Sequence, residues 1–185
     1  TLDVTTIDSC GEYSGLTGYI TVSSLASPCS QLIIRDSALG TLIVSEQSSI
    51  DELIIQNIEC SRSTYESCVH FNGTISNVHS ITIRRIHRRE INTAVGDEFS
   101  VVRFAGAVSG DPTFTESSNN VLSISDVSFS DSTFIARQST VHGLDLSVVR
   151  FDGDITNFEQ IDISTINFCN IEFDGLPPSP LFLRA

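Results

Sequence analysis

The stretch VRFDGDITNFEQIDISTINFCNIEFDG, Val149 to Gly175, opens and closes on one phrase: Phe151-Asp152-Gly153 returns as Phe173-Asp174-Gly175, 22 residues later. A period of that size marks solenoids and other repeat arrays. Between the two phrases apolar and polar residues alternate as they do along a strand with one face on a core and one in water. The stretch reads as one full coil of a β-solenoid.

Working outward, its inner strand Ile161-Asp162-Ile163-Ser164-Thr165-Ile166 has four relatives upstream: Leu32-Ile33-Ile34-Arg35-Asp36, Leu53-Ile54-Ile55-Gln56-Asn57-Ile58, Ile81-Thr82-Ile83-Arg84-Arg85-Ile86 and Leu122-Ser123-Ile124-Ser125-Asp126-Val127. Positions one and three are aliphatic in every copy and point inward; position two faces out. Position five is Asp, Asn or Thr in all but one copy, and the alternation restarts behind it. That implies a bend, because these short polar residues tolerate a left-handed backbone and bond their own main chain. Arg85 departs from the rule.

A second phrase, apolar-x-Phe-x-Gly, occurs at Val69 to Gly73, Val102 to Gly106, Val149 to Gly153 and Ile171 to Gly175. Its glycine reads as a corner of positive φ. Between the two phrases the coils differ in length, and the extra residues, Ser61 to Cys68, Arg89 to Val101 and Ser130 to Val148, fall at one corner, where stacking at about 4.8 Å makes them a single ledge. A smaller insertion, SGDPTFTESSNN, follows Gly106 at another corner.

Coil length, the Asp/Asn bend and the glycine corner resemble right-handed parallel β-helices of the pectate-lyase-like superfold, over roughly residues 19 to 175. The resemblance is architectural and implies a three-sided coil; the hand follows from the rule for parallel crossovers. The expectation is an all-β chain, a right-handed parallel β-helix of about five to seven coils with loop insertions at one corner. It forms one domain over 1–185, with a cap at 1–18, coils over 19–175 and a proline-rich tail over 176–185. A leucine-rich-repeat-like receptor domain is the other short-stranded solenoid of this size, but leucine-rich spacing is missing.

With 185 residues and 40% hydrophobic content the chain can bury a core of one domain. Its formal charge of −13 argues against nucleic acid and anionic membranes as partners, and no apolar run has the length of a membrane span. Lysine is absent, so the positive side chains are ten arginines and the histidines. The first residue, Thr1, suits a mature product or an excised fragment. Among the five cysteines, Cys10 and Cys29 bracket the first turn signals and Cys60 and Cys68 bracket a short polar segment. Each is a local disulfide candidate, with Cys169 left over. Zinc spacing is missing. Disulfides and the sequon Asn72-Gly73-Thr74 point to a secreted, extracellular or cell-surface glycoprotein, with Asn72 as the acceptor.

Two constellations stand out. Asp152, Asp154 and Asp174 are the best acidic group, since Asp152 and Asp174 hold equivalent places in the repeat; they are calcium ligands or plain surface charge, and no other cofactor is implied. Arg84, Arg85, His87, Arg88 and Arg89 form a basic cluster. It serves either to dock an anionic glycan or an acidic subunit, or to neutralise groups such as Glu59 on the adjoining coil. Catalysis has no support: the NTD, DD, GHG and RIK phrases of polygalacturonases are missing, His142-Gly143 lacks the preceding glycine, and a lyase that uses lysine is excluded. No G-x-S-x-G or phosphate-cradling loop is present.

The tail GLPPSPLFLRA breaks the pattern, since its prolines forbid ladder bonding. Leu181-Phe182-Leu183 beyond them has no coil left to join, and either caps the stack or reaches into another molecule. The chain thus reads as an extracellular structural, adhesive or assembly module acting through its surfaces, a subunit of a filament, matrix or particle, with homotypic assembly through its terminal segments. It reads as a non-enzyme. The reading from another class is a carbohydrate-active or glycan-binding β-helix, with Asp152, Asp154, Asp174 and Arg150 beside the cleft.

Overall fold

Alternation of apolar and polar residues becomes strand throughout: every regular element among the described residues is β. The computed structural model describes residues 4–25, 28–48, 50–61, 66–89, 92–94, 98–113, 120–135, 144–174 and 181–184. For 92–94, 98, 133–135, 144–145, 172–174 and 181–184 it describes the backbone alone.

Among the described residues pairing is parallel at every junction and falls into three ladders. The first stacks Gly11–Ser14, the first part of Cys29–Val44, Ile50–Ser61, Ser80–Arg89, Val121–Ile135 and Gln160–Asp174. The second stacks Val4–Ile7, Thr17–Val22, the later part of Cys29–Val44, Ser67–Phe71, Glu98–Phe104, Leu144–Phe151 and Leu181–Arg184. The third is short: Gln47–Ser48, Ile75–Val78, Val108–Gly110 and Ile155–Thr156. Because Cys29–Val44 belongs to both of the first two, they merge, together with Asn92–Ala94 paired to Thr133 to Ile135, into one 13-stranded parallel sheet that nearly closes on itself, beside a separate 4-stranded one. Parallel neighbours need a long crossover. Here the strands of the other ladders provide it.

Inside, equivalent residues stack. Ile34, Ile55, Ile83, Ile124 and Ile163 are successive register partners, and the first four are fully buried. Ile163 is 43% exposed, because Gln160–Asp174 is the last rung of its ladder. Each wholly buried member contributes about 1.5–3 kcal/mol by leaving water. On the second ladder the rings of Phe71 and Phe104 stack with centroids 4.3 Å apart and those of Phe104 and Phe151 4.7 Å apart, their planes nearly parallel.

The fifth position of the strand phrase is a bend in all five copies. Asp36, Asn57, Arg85, Asp126 and Thr165 have φ between 50° and 55°, and Asn57 Nδ2 donates to Asp36 Oδ1 at 2.6 Å. Short polar side chains suit this left-handed backbone. Arg85 adopts it as well: its neighbours in the column fix the conformation regardless of its own preference.

Three expectations need correction. The glycines Gly73, Gly106 and Gly153 do not have positive φ. A Cβ on Gly106 would lie 2.5 Å from the carbonyl carbon of Gly73, and one on Gly153 equally close to that of Gly106, so close backbone approach demands glycine here. The two FDG phrases are not equivalent either. Phe151 pairs with Phe104 in the second ladder, whereas Phe173 and Asp174 pair with Phe134 and Ile135 in the extended first ladder. Finally, Leu181–Arg184 does have a place in the stack, opposite Leu144 to Ser147. The prolines lie in the connection between Gln160–Asp174 and that strand. Their own placement is outside the described residues, as is that of 62–65, 90–91, 95–97 and 136–143 in the expected ledge.

Candidate functional site

On Ser80–Arg89 the alternation sends Ile81, Ile83, Ile86 and Arg88 inward and leaves Thr82, Arg84, His87 and Arg89 on the outer face, with Arg85 projecting from the bend. Arg84 Nε donates to the Gln56 side-chain oxygen at 2.8 Å. His87 Nδ1 lies 2.6 Å from Ser128 Oγ, and Arg89 approaches Glu59 at 3.7 Å. Arg84, Arg85 and Arg89 are exposed.

Arg88 does not belong to that surface. It is fully buried, in the column of Cys60 and Phe129, with its guanidinium carbon 5.5 Å from the ring centres of both Phe99 and Phe129. Nη1 donates to the carbonyls of Glu66 and Ser100, at 2.6 and 2.5 Å. Burial pushes its pKa down to about 9. The phase of the strand decides this: two residues beyond inward Ile86, position 88 must point inward whatever occupies it. That phase was available in the sequence.

The acidic group is not assembled. Asp152 lies on the second ladder's outer side, where Arg150 Nε donates to Oδ1 at 2.6 Å and Arg103 Nε donates to Oδ2 at 2.7 Å. Burial opposes its ionisation, but the hydrogen bonds and charges of the two arginines prevail and hold its carboxyl below the usual range. Asp174 lies in the other ladder, opposite Ile135, so the stacking of Asp152 on Asp174 that motivated a calcium site does not occur; the side chain of Asp174 is outside the described residues. Asp154 is exposed.

Sequence reading also missed the network around Arg103. Its Nη1 donates to Glu66 Oε2 at 2.5 Å, completing a chain of alternating charge from Glu66 through Arg103 and Asp152 to Arg150. His70 is Arg103's register partner. Desolvation, with the charge of Arg103 adding to it, lowers the imidazole pKa from its ordinary value. Only the register, aligning positions 70, 103 and 150, brings these residues together.

Cys10 is bonded to Cys29 and Cys60 to Cys68, while Cys169 is free and exposed. Asn72 and Thr74 of the sequon are both exposed. His142 lies outside the described residues. No helix among them is long and apolar enough to cross a membrane. Comparison with protein-family models, with curated proteins and with solved structures finds nothing that matches this chain.

Proposed function

We propose that the chain is a right-handed parallel β-helix of the extracellular space, working as a structural or adhesive module through its outer faces. The observation that carries this reading is the unbroken run of equivalent positions, Ile34 to Ile163 within and Asp36 to Thr165 at the bend, joined by parallel register. Such a stack is rigid along its length and presents side chains at regular intervals, which suits a scaffold. Two disulfides, each closing a short local loop, favour an oxidising environment.

Both terminal strands are seated within their own chain, Val4–Ile7 on Tyr19 to Val22 and Leu181–Arg184 on Leu144 to Ser147. Homotypic assembly, on this reading, runs through the last rung, where Ile161 and Ile163 are 50% and 43% exposed, and not through exchanged termini. Sedimentation of the full chain, secreted from a eukaryotic host, tests the reading. Concentration-dependent assembly that is lost in Ile161→Ser/Ile163→Ser is the expected result. Release of reducing ends or unsaturated products from a polysaccharide panel would replace it with an enzyme.

A further inference from the structure

Three guanidinium groups, those of Arg84, Arg85 and Arg89, lie exposed along one strand, within about 17 Å of one another at about 3.3 Å per residue. The register fixes what surrounds them. Above lie Ser125, Asp126, Ser128 and Ser130, with Ser125 over Arg84, Ser128 over His87 and Ser130 over Arg89; below lie Gln56, Asn57, Glu59 and Ser61. The two adjoining rungs thus set two carboxylates, Glu59 and Asp126, against three guanidiniums; Asp36, one rung further, also acts on Arg85 but is paired with Arg35. Arg84 spends its Nε hydrogen on an amide and Arg89 reaches Glu59 only at 3.7 Å. On a chain of charge −13 this row is a local excess of positive charge.

Arg85 adds a second argument. It occupies a backbone of φ 55° that the other copies give to Asp36, Asn57, Asp126 and Thr165. A long side chain gains none of the local hydrogen bonds that let Asp or Asn tolerate this region, and strain of this kind is kept where a side chain is needed for a task. At the bend its side chain is exposed, next in sequence to exposed Arg84.

We propose that this row of arginines, with the serine hydroxyls stacked on it, binds a linear sulfated glycan. Guanidinium is planar, permanently charged and weakly hydrated, and pairs in bidentate fashion with oxyanions; sulfate esters are weakly hydrated as well, and the chain carries no lysine. The hydroxyls of Ser125 and Ser130, beside Arg84 and Arg89, can give and accept hydrogen bonds, as sugar hydroxyls and sulfate oxygens require, with Ser128 between them on His87. A peptide fits less well. The strand's backbone is already paired on both sides, to Ile50–Ser61 and to Val121–Ile135, so a polypeptide could not add as a strand and would meet side chains only. The proposal stands independently of whether the chain assembles.

The test is titration calorimetry of the full chain with a heparin dodecasaccharide, against polyglutamate as a non-sulfated polyanion, for wild type and for Arg84→Gln/Arg85→Asn/Arg89→Gln. Asn at 85 is the residue of the equivalent bend at 57, so the triple variant keeps its fold, which its melting temperature checks. Heparin should bind wild type, with the triple variant at least about tenfold weaker and its log–log salt dependence shallower by about two. Polyglutamate should bind at least about tenfold more weakly than heparin. The proposal is overturned if heparin fails to bind at about 0.05 M salt, if the triple variant binds as wild type does, or if polyglutamate binds equally well, which would make an acidic protein the partner.

Discussion

Arg88 holds its guanidinium carbon 5.5 Å from the centre of the Phe129 ring, with Phe99 at the same distance. Its carbonyl acceptors belong to Glu66 and Ser100. One buried cation therefore ties together the strand before the second corner insertion, the closing ends of the first two insertions, and the next rung. Arg88→Ala would open a cavity between two rings and strand two carbonyls, and should cost about 3–5 kcal/mol in urea unfolding. Arg88→Gln, which keeps a donor but not the charge or the reach, should recover part of that. A loss below about 1 kcal/mol for alanine would mean that the corner does not depend on this residue.

The isoleucine column gives a graded prediction. Ile83 is wholly buried between Ile55 and Ile124, whereas Ile163 is 43% exposed at the last rung. At concentrations too low for assembly, Ile83→Ala should destabilise by about 2–5 kcal/mol and Ile163→Ala by under about 1.5. Equal losses at higher concentrations would show that Ile163 is covered in solution, as assembly through that rung requires.

How far these positions were legible differs from element to element. The bend could be read because Asp36, Asn57 and Asp126 advertise a left-handed backbone by their chemistry, and the inward column because Ile34 to Ile163 repeat the same phrase. The two FDG phrases misled for a physical reason. Apolar-x-Phe followed by a turn residue is what any strand needs where it leaves a sheet, so Phe151 and Phe173 share local chemistry while sitting in different ladders. Register is set by partners far along the chain, and no local phrase encodes it. Arg88 was misplaced because its charge was weighed above its phase. The Arg103 network depends on Glu66, Asp152 and Arg150 meeting across rungs, which again only register reveals.

The disulfides should differ in worth. Cys10–Cys29 closes 19 residues and Cys60–Cys68 closes 8, so loop-closure entropy assigns the first about 3 kcal/mol and the second somewhat less. Cys10→Ser/Cys29→Ser should therefore lower the urea midpoint more than Cys60→Ser/Cys68→Ser does. The reverse order would point to the buried corner around Cys60 and Arg88 as the greater source of stability.

Stability should fall in two pH windows as the protein is acidified. The folded state holds His70 below its ordinary pKa, so as pH falls through about 6.5 the unfolded chain takes up the proton first and stability is lost until the folded pKa is passed. Asp152 is held below the ordinary carboxylate range. Its contribution is present above about pH 4 and is lost as pH falls from there through the folded value. Urea midpoints across this range should show the first step vanish in His70→Gln and the second shrink in Asp152→Asn. If neither variant changes the profile, other carboxylates govern acid unfolding.

Asn72 stands on the outer side where the second ladder ends, its backbone N–H donating to the Val44 carbonyl at 2.8 Å, so the ladder holds its main chain while the side chain is exposed. Thr74, the other half of the sequon, is exposed as well. An oligosaccharide attached there would cost little folding energy, because no buried group has to move, and it would project from a different ladder than the arginine row and leave that row accessible. Passage through a eukaryotic secretory pathway should therefore add a glycan, seen by intact mass and removed by peptide N-glycosidase. Asn72→Gln and Thr74→Ala should each abolish the addition, while the unglycosylated protein keeps its melting temperature within the small range typical of exposed substitutions. An unmodified wild-type protein from that host would mean that Asn72 is not presented to the transferase in the extended form it needs, and would count against the outward placement of this corner during folding.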